Sequence, residues 1–440
     1  MTGGTASGLG GAGLGGGAGG LASGSGGTAG ASGGSAGGFA SGGTSGTPSG
    51  GGMATSNGGN GGGGAPTAGA SGAGAATSGG SGGTATGGDG GASTNGGSSA
   101  GGGGGTAGAA GGGMAGMAGG GGSAGPDPDR CDIANYDPDD PPEMLPLTGP
   151  LGTHDPVLIH AHGRYYLFQT GGNQGLNTKT SEDLLAWQDG PTILAPNPSW
   201  VSQHIQNVMN LWAPDISYFN GQYHLYYSAS TFGSNHSCIG HATRPALDEG
   251  EWDDHGPVIC SNEPGPDHWN AIDPNVAFDE DGTPWLSFGS FWGGLKLIRL
   301  DENGARADQM LHSIAARPDG GDALEAPFIV RRCGYYYLFL SFDSCCKGTN
   351  STYKIMVGRA TAITGPYVDK AGTPLMQGGG TLLVQGDGTK YAAAGHNAVV
   401  FTDDAAYNIY HAYSQQSGDP VLRIAELVWD DDGWPISAGP

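Results

Sequence analysis

Basic residues are scarce in this chain. Sixteen Lys and Arg stand against 40 Asp and Glu, a formal net charge of −24. A surface of that sign repels phosphate backbones and anionic headgroups, so nucleic acid and acidic membranes are excluded as partners and a neutral ligand is left. Long apolar runs are also missing. No stretch of 18 or more apolar residues exists, so no spanning helix is expected. The first residues lack the basic and apolar regions of a signal peptide, so the true start of the chain is expected to lie upstream. Cysteine is sparse, at six residues, and none falls in a paired C-x-x-C pattern, which argues against a zinc site. The even count suits an oxidising compartment and disulfides whose connectivity cannot be deduced; the adjacent Cys345 and Cys346 allow a vicinal bridge. Helix-period patterning is absent from 143 to 440.

Residues 1–125 contain 59 glycines, one charged residue (Asp89) and no apolar periodicity. Such a segment cannot bury enough surface to offset its chain entropy. It is expected to be a disordered Gly/Ser/Ala-rich tether. Glycine does not recur at every third position, which excludes collagen. A stiff, acidic lead-in segment follows over 126–144, with Cys131 placed to pin it to the folded part. The folded unit is expected over 145–440.

That unit reads as short runs rich in Tyr, Phe, Val, Ile and Leu, bounded by Gly, Asn, Asp and Pro, which is strand grammar. The runs recur. An ionisable residue opens an apolar strand at Asp155, Asp215, Asp273, Glu325 and His396. A turn and an aromatic strand follow each, as in Asn220-Gly221 before Tyr223–Tyr227. Successive openers are 60, 58, 52 and 71 residues apart. Repeats of that length with three or four strands are propeller blades. The expected fold is therefore all-β, a five-bladed β-propeller. In that architecture the first strand of each blade lines the central axis, so the five openers should converge at one mouth of the channel.

Carboxylates gathered in an acidic, aromatic-rich pocket suit glycoside hydrolysis. One acid protonates the leaving oxygen, and a second carboxylate activates water or attacks directly. Crowding and burial raise one pKa enough to keep a proton near neutral pH. Glu325 has the reach for the leaving oxygen, with Asp155 and Asp273 as ionised partners. The residues alone leave open which of those two is the base.

The segments His154-Asp155-Pro156, Trp212-Ala213-Pro214-Asp215, Asn270-Ala271-Ile272-Asp273-Pro274-Asn275, Gly289–Gly294, Glu325-Ala326-Pro327-Phe328 and Cys345–Tyr353 together resemble glycoside hydrolase family 43. They are most similar to its arabinan endo-1,5-α-L-arabinanases, over about residues 145–436. The resemblance implies an inverting, endo-acting hydrolase of α-1,5-L-arabinofuranosidic linkages in plant arabinan. By the same resemblance Asp155 is the general base, Glu325 the general acid and Asp273 the modulator of the Glu325 pKa. Base and acid should then stand roughly 6.5–9.5 Å apart. Trp212, Phe232 and Trp292 match the family's sugar-stacking positions. Asp215, Asn270 and Ser290 are the polar candidates for substrate, and His268 could also line the pocket. His396 matches a histidine that helps hold one hydrated calcium or similar ion. Trp187, Trp252, Trp269, Trp285, Trp429 and Trp434 are expected to pack between blades. The remaining expectations are no organic cofactor, a monomer, and an extracellular or cell-surface location.

Three alternatives compete. A non-catalytic carbohydrate-binding propeller should lack one of the acids, and none is missing. An exo-acting α-L-arabinofuranosidase or β-xylosidase would share all three and differ in loops. A fructan-acting hydrolase needs an Asn-Asp-Pro-Asn-Gly start and a Glu-Cys acid motif, both absent. Gly293, where small polar residues are often found, departs from the family pattern.

Overall fold

The computed structural model describes residues 130–261 and 268–440. The expected tether over 1–125 lies outside the described residues. The described chain forms five antiparallel sheets of four strands each, in sequence order. Blade 1 holds β1 (Val157–Ala161), β2 (Arg164–Thr170), β3 (Leu176–Ser181) and β4 (Gln188–Asp189). Blade 2 holds β5 (Trp212–Phe219), β6 (Gln222–Ala229), β7 (Ser237–Arg244) and β8 (Asp253–Ser261). Blade 3 holds β9 (Asn275–Phe278), β10 (Pro284–Phe288), β11 (Leu295–Arg299) and β12 (His312–Ala315). Blade 4 holds β13 (Leu324–Arg332), β14 (Tyr335–Phe342), β15 (Lys354–Ala360) and β16 (Thr381–Gln385). Blade 5 holds β17 (Tyr391–Phe401), β18 (Ala406–Ser414), β19 (Pro420–Trp429) and β20 (Pro435–Ser437). The first strands touch in a closed circuit, β1 to β5, β9, β13, β17 and back to β1. This is a five-bladed β-propeller with the opening strands at its axis. One short α-helix among the described residues, Ser199–His204, interrupts the all-β pattern between blades 1 and 2. Six residues are too few to show a helical period.

The aromatic second strands are apolar on both faces because each is sandwiched between neighbouring blades. Tyr223 to Ala229 of β6 and Tyr336 to Phe342 of β14 are buried throughout. The hairpins feeding them close through two-residue turns at His162-Gly163, Asn220-Gly221 and Cys333-Gly334, each with both central φ angles positive. That is the type I′ turn, whose twist matches the flanking strands. All six tryptophans expected in the packing belong to or pack against the apolar clusters.

Blades 1 and 5 are joined by the stretch 143–151. Leu145 N–H donates to the Ile424 carbonyl and Glu426 N–H to the Glu143 carbonyl, along the outer edge of β19. Leu145, Leu147 and Leu151 pack against the cluster of Leu158, Trp187 and Leu422. Disulfides join Cys131 to Cys333, Cys238 to Cys260, and Cys345 to Cys346. The first ties the lead-in segment to the β13–β14 turn.

Candidate active site

One residue at the start of each blade adopts a left-handed backbone. These are Asp155 (φ 52°), Ala213 (φ 42°), Asp273 (φ 59°), Ala326 (φ 56°) and His396 (φ 51°). Proline follows the first four and Asn397 the fifth. Strand pairing skips register at this point in β5, β13 and β17, so the residue is the extra one of a bulge. This corrects the expected equivalence of the five ionisable openers. Glu325 lies one residue before the repeated position, and Asp215 two residues after it. The bulge shifts every side chain that follows. Asp215 consequently does not line the cavity described below. It is buried in the seam between blades 2 and 3, where it accepts the Val276 N–H at 2.9 Å and the Asn275 amide at 3.3 Å. Burial pushes its pKa up to about 7 against those donors.

A left-handed non-glycine residue is strained by about 1–3 kcal/mol and persists only where its surroundings over-determine it. Here the determinant comes from the preceding blade in the ring. The Asp155 N–H donates to His411 Nδ1 (3.2 Å), Ala213 N–H to Thr170 Oγ1 (2.9 Å), Asp273 N–H to Ser228 Oγ (3.0 Å) and His396 N–H to Ser341 Oγ (2.8 Å). Blade 3 breaks the pattern. The acceptor position is Gly289, at φ 133°, where a Cβ would stand 2.8 Å from the Gly294 carbonyl oxygen. With no side chain to receive it, the Ala326 N–H donates instead to Asp273 Oδ2 at 3.2 Å. The missing acceptor thus brings the Asp273 carboxylate to the residue next to Glu325.

These starts open into one cavity of about 780 Å³. Asp155, Asp273, Glu325, Trp212, Phe232, Asn270, Ser290, Trp292 and His396 all line it. Of the site residues expected from sequence, Asp215 alone is left out; the candidate His268 is exposed and is not among the lining residues either. The lining also includes His154, Thr170, Asp322, Lys347 and the Cys345–Cys346 disulfide, none of which sequence reasoning assigned to the pocket. The three acids are each less than a tenth exposed, whereas the Phe232 ring is 81% exposed at the rim. Asn270 is buried, and its Oδ1 has no partner among the described residues.

The acids are held in different charge states. Burial works to raise the Asp155 pKa, but the His154 and His396 imidazoles hold it well below the usual carboxylate range. Their Nδ1 atoms stand 2.7 Å from Oδ2 and 3.1 Å from Oδ1. Thr170 Oγ1 adds a hydrogen bond to Oδ2 at 2.6 Å. Burial lifts Glu325, against the Ser290 hydroxyl at 2.7 Å, the Tyr353 hydroxyl and His396. Burial also lifts Asp273, opposed by His396 and reinforced by the charges of Glu325 and Asp155. Both buried carboxyls are thus pushed towards their protonated forms. Burial opposes charge on His396, yet Asp155 above all brings its pKa up to about 9, so it is cationic. One carboxylate held towards ionisation, two carboxyls pushed towards protonation and one imidazolium therefore face a single cavity.

The donors present do not make up a calcium shell. Calcium takes six to eight oxygens. The cluster of potential ligands among the described residues is His154, Asp155 and His411, with a single carboxylate. His396 stands beside it as a cation hydrogen-bonded towards Asp155. An ion there would carry mostly water.

The family model described as glycosyl hydrolases family 43 matches residues 148–435. The chain is 45% identical over 286 residues to the extracellular endo-α-(1→5)-L-arabinanase 1 of Bacillus subtilis, covering 64% of this chain and 86% of that one. It is 40% identical over 302 residues to the extracellular exo-α-(1→5)-L-arabinofuranosidase ArbA of Cellvibrio japonicus, covering 65% and 86%. Among solved structures it matches a family 43 endo-arabinanase from Bacillus licheniformis, with TM-score 0.63 and 46% identity over 66% of this chain and 99% of that one. It also matches an exo-1,5-α-L-arabinanase from a bovine ruminal metagenomic library, with TM-score 0.63 and 41% identity over 67% and 99%.

Proposed function

The chain belongs to glycosyl hydrolases family 43, and from that premise we propose that it cleaves α-1,5-L-arabinofuranosidic linkages within arabinan, with inversion. The observation that carries this reading is the pair of opposed charge states in one aromatic-rimmed cavity. Asp155 is held ionised, and Glu325 is biased towards its proton. Asp155 acts as general base. It takes a proton from water as the water oxygen attacks the anomeric carbon. Glu325 gives its proton to the glycosidic oxygen as the C–O bond breaks on the opposite face. Asp273, fixed by the Ala326 N–H, supplies the negative charge that keeps the proton on Glu325. His396 balances that charge. Solvent then returns a proton to Glu325 and removes one from Asp155.

Trp212, Phe232 and Trp292 would receive sugar faces, and Ser290 and the Asn270 amide would meet hydroxyls. Residues 145–440 form the catalytic unit in this reading and 130–144 lead into it, for a monomeric enzyme working outside the cell on an insoluble polysaccharide. The exo-acting relatives favour one second reading, release of single sugars from chain ends. Incubating the protein with linear arabinan separates the two. Short oligomers of inverted anomeric configuration by NMR are expected. Monomer alone would transfer the assignment to the exo class. Absence of any product, or wild-type turnover by Glu325→Ala, would refute the catalytic assignment.

A further inference from the structure

Thr170 closes β2, opposite the bulge of its own blade, and is one of the cross-blade acceptors described above. Its hydroxyl has one proton to give. The Ala213 N–H, 2.9 Å from Oγ1, is itself a donor and cannot take that proton. Asp155 Oδ2, at 2.6 Å, can. The direction of both hydrogen bonds is thereby fixed. Threonine is also stiff about χ1, so the hydroxyl does not swing freely between partners. Oδ2 receives His154 Nδ1 as well, at 2.7 Å, while Oδ1 has the longer contact to His396 at 3.1 Å. Oδ1 is therefore the oxygen with capacity for a proton from water.

Resting on the proposed function, we propose that Thr170 is a positioning residue for Asp155. It locks the rotation of the carboxylate so that Oδ2 is spent on the protein and Oδ1 faces the attacking water. It also ties that orientation to the seam between blades 1 and 2, because the same oxygen holds the Ala213 bulge.

The test measures kcat and KM of the full chain on linear arabino-oligosaccharides for wild type, Asp155→Asn and Thr170→Val, →Ala and →Ser. Misplacing a reacting group by about 1 Å costs on the order of 100-fold. The valine and alanine variants should lose roughly 10–100-fold in kcat with KM within about twofold, and serine should recover to within about threefold. A merely structural role would lower Tm and leave kcat per folded molecule unchanged. Folded valine or alanine variants with wild-type kcat would overturn the inference. So would a folded serine variant impaired more than about tenfold, which keeps the test decisive should the other two fail to fold. An inert wild type, or Asp155→Asn at wild-type rate, would instead remove the proposed function and this inference with it.

Discussion

Replacing Ser290 with alanine deletes one hydroxyl from the cavity wall. In the native protein Ser290 Oγ donates to Glu325 Oε2 across 2.7 Å, with both residues buried. Such a donor favours the carboxylate over the acid and so holds the Glu325 pKa down against burial. Hydrogen bonds to charged groups contribute about 1.5–3 kcal/mol, and those between neutral groups about 0.5–1.5 kcal/mol. The difference, about 1–1.5 kcal/mol, is what the ionised form loses relative to the protonated one. At about 1.36 kcal/mol per unit, the Glu325 pKa rises by about one unit. A general acid must be protonated, so the alkaline limb of kcat/KM reports it, jointly with Asp273. That limb should move up by about one pH unit in Ser290→Ala, while the acidic limb set by Asp155 stays. The assay is kcat/KM on linear arabino-oligosaccharides from pH 4 to pH 10. An unmoved or lowered alkaline limb would refute the reasoning, and a shift of the acidic limb instead would exchange the roles of the two carboxyls.

The remaining predictions concern stability and the rim. In blade 2, His224 and His241 are buried and 2.9 Å apart, and burial lowers their pKa values to about 4 and about 3 from 6.5. The unfolded chain takes up these protons first, so this stability is complete above pH 6.5 and lost as pH falls towards 4. For His224 alone the loss is about 3 kcal/mol. Melting temperatures should therefore fall steadily below pH 6.5, and a flat profile from pH 7 to pH 4 would reject the burial argument. Phe232→Ala removes a ring that is 81% exposed. Stability should change by no more than about 0.5 kcal/mol. KM for long oligosaccharides should rise about fivefold, equivalent to about 1 kcal/mol of lost apolar contact. An unchanged KM would take Phe232 out of the substrate path.

Much of the propeller was legible because the blade grammar is local. Turns such as Asn220-Gly221 and the doubly apolar β6 and β14 announce themselves within ten residues. The site was legible to within one or two residues, and the shortfall has a physical cause. Sequence reading aligned the blades on ionisable side chains, whereas the backbone repeats on the left-handed residue before proline. Asp215 and Glu325 fell out of register for that reason, and only Glu325 reaches the cavity. The cross-blade acceptors were invisible as chemistry, being three ordinary hydroxyls and one imidazole nitrogen, whose partners lie up to 256 residues away. A spacing signal did exist. Thr170, Ser228, Ser341 and His411 each follow the left-handed residue of their own blade by fifteen positions. Aligning on the X-Pro pairs would have revealed it in blades 1, 2 and 4; in blade 3 the equivalent position, Gly289, comes sixteen residues after Asp273. The helix Ser199–His204 had no period long enough to see.

The base of the proposed mechanism belongs to the seam where the two ends of the propeller meet. Asp155 precedes β1, yet its backbone is held by His411 of β18 and its carboxylate faces His396 of β17, in the last blade to be synthesised. Four blades in perfect order would hold Oδ2 through Thr170 and His154 but leave Oδ1 and the backbone N–H without these partners. On the proposed mechanism, turnover would then report ring closure, since the orientation of the base is completed only by the fifth blade. Blades are interchangeable as architecture but not as chemistry, since a transplanted blade would bring its own strands and leave its partner's half of each junction behind.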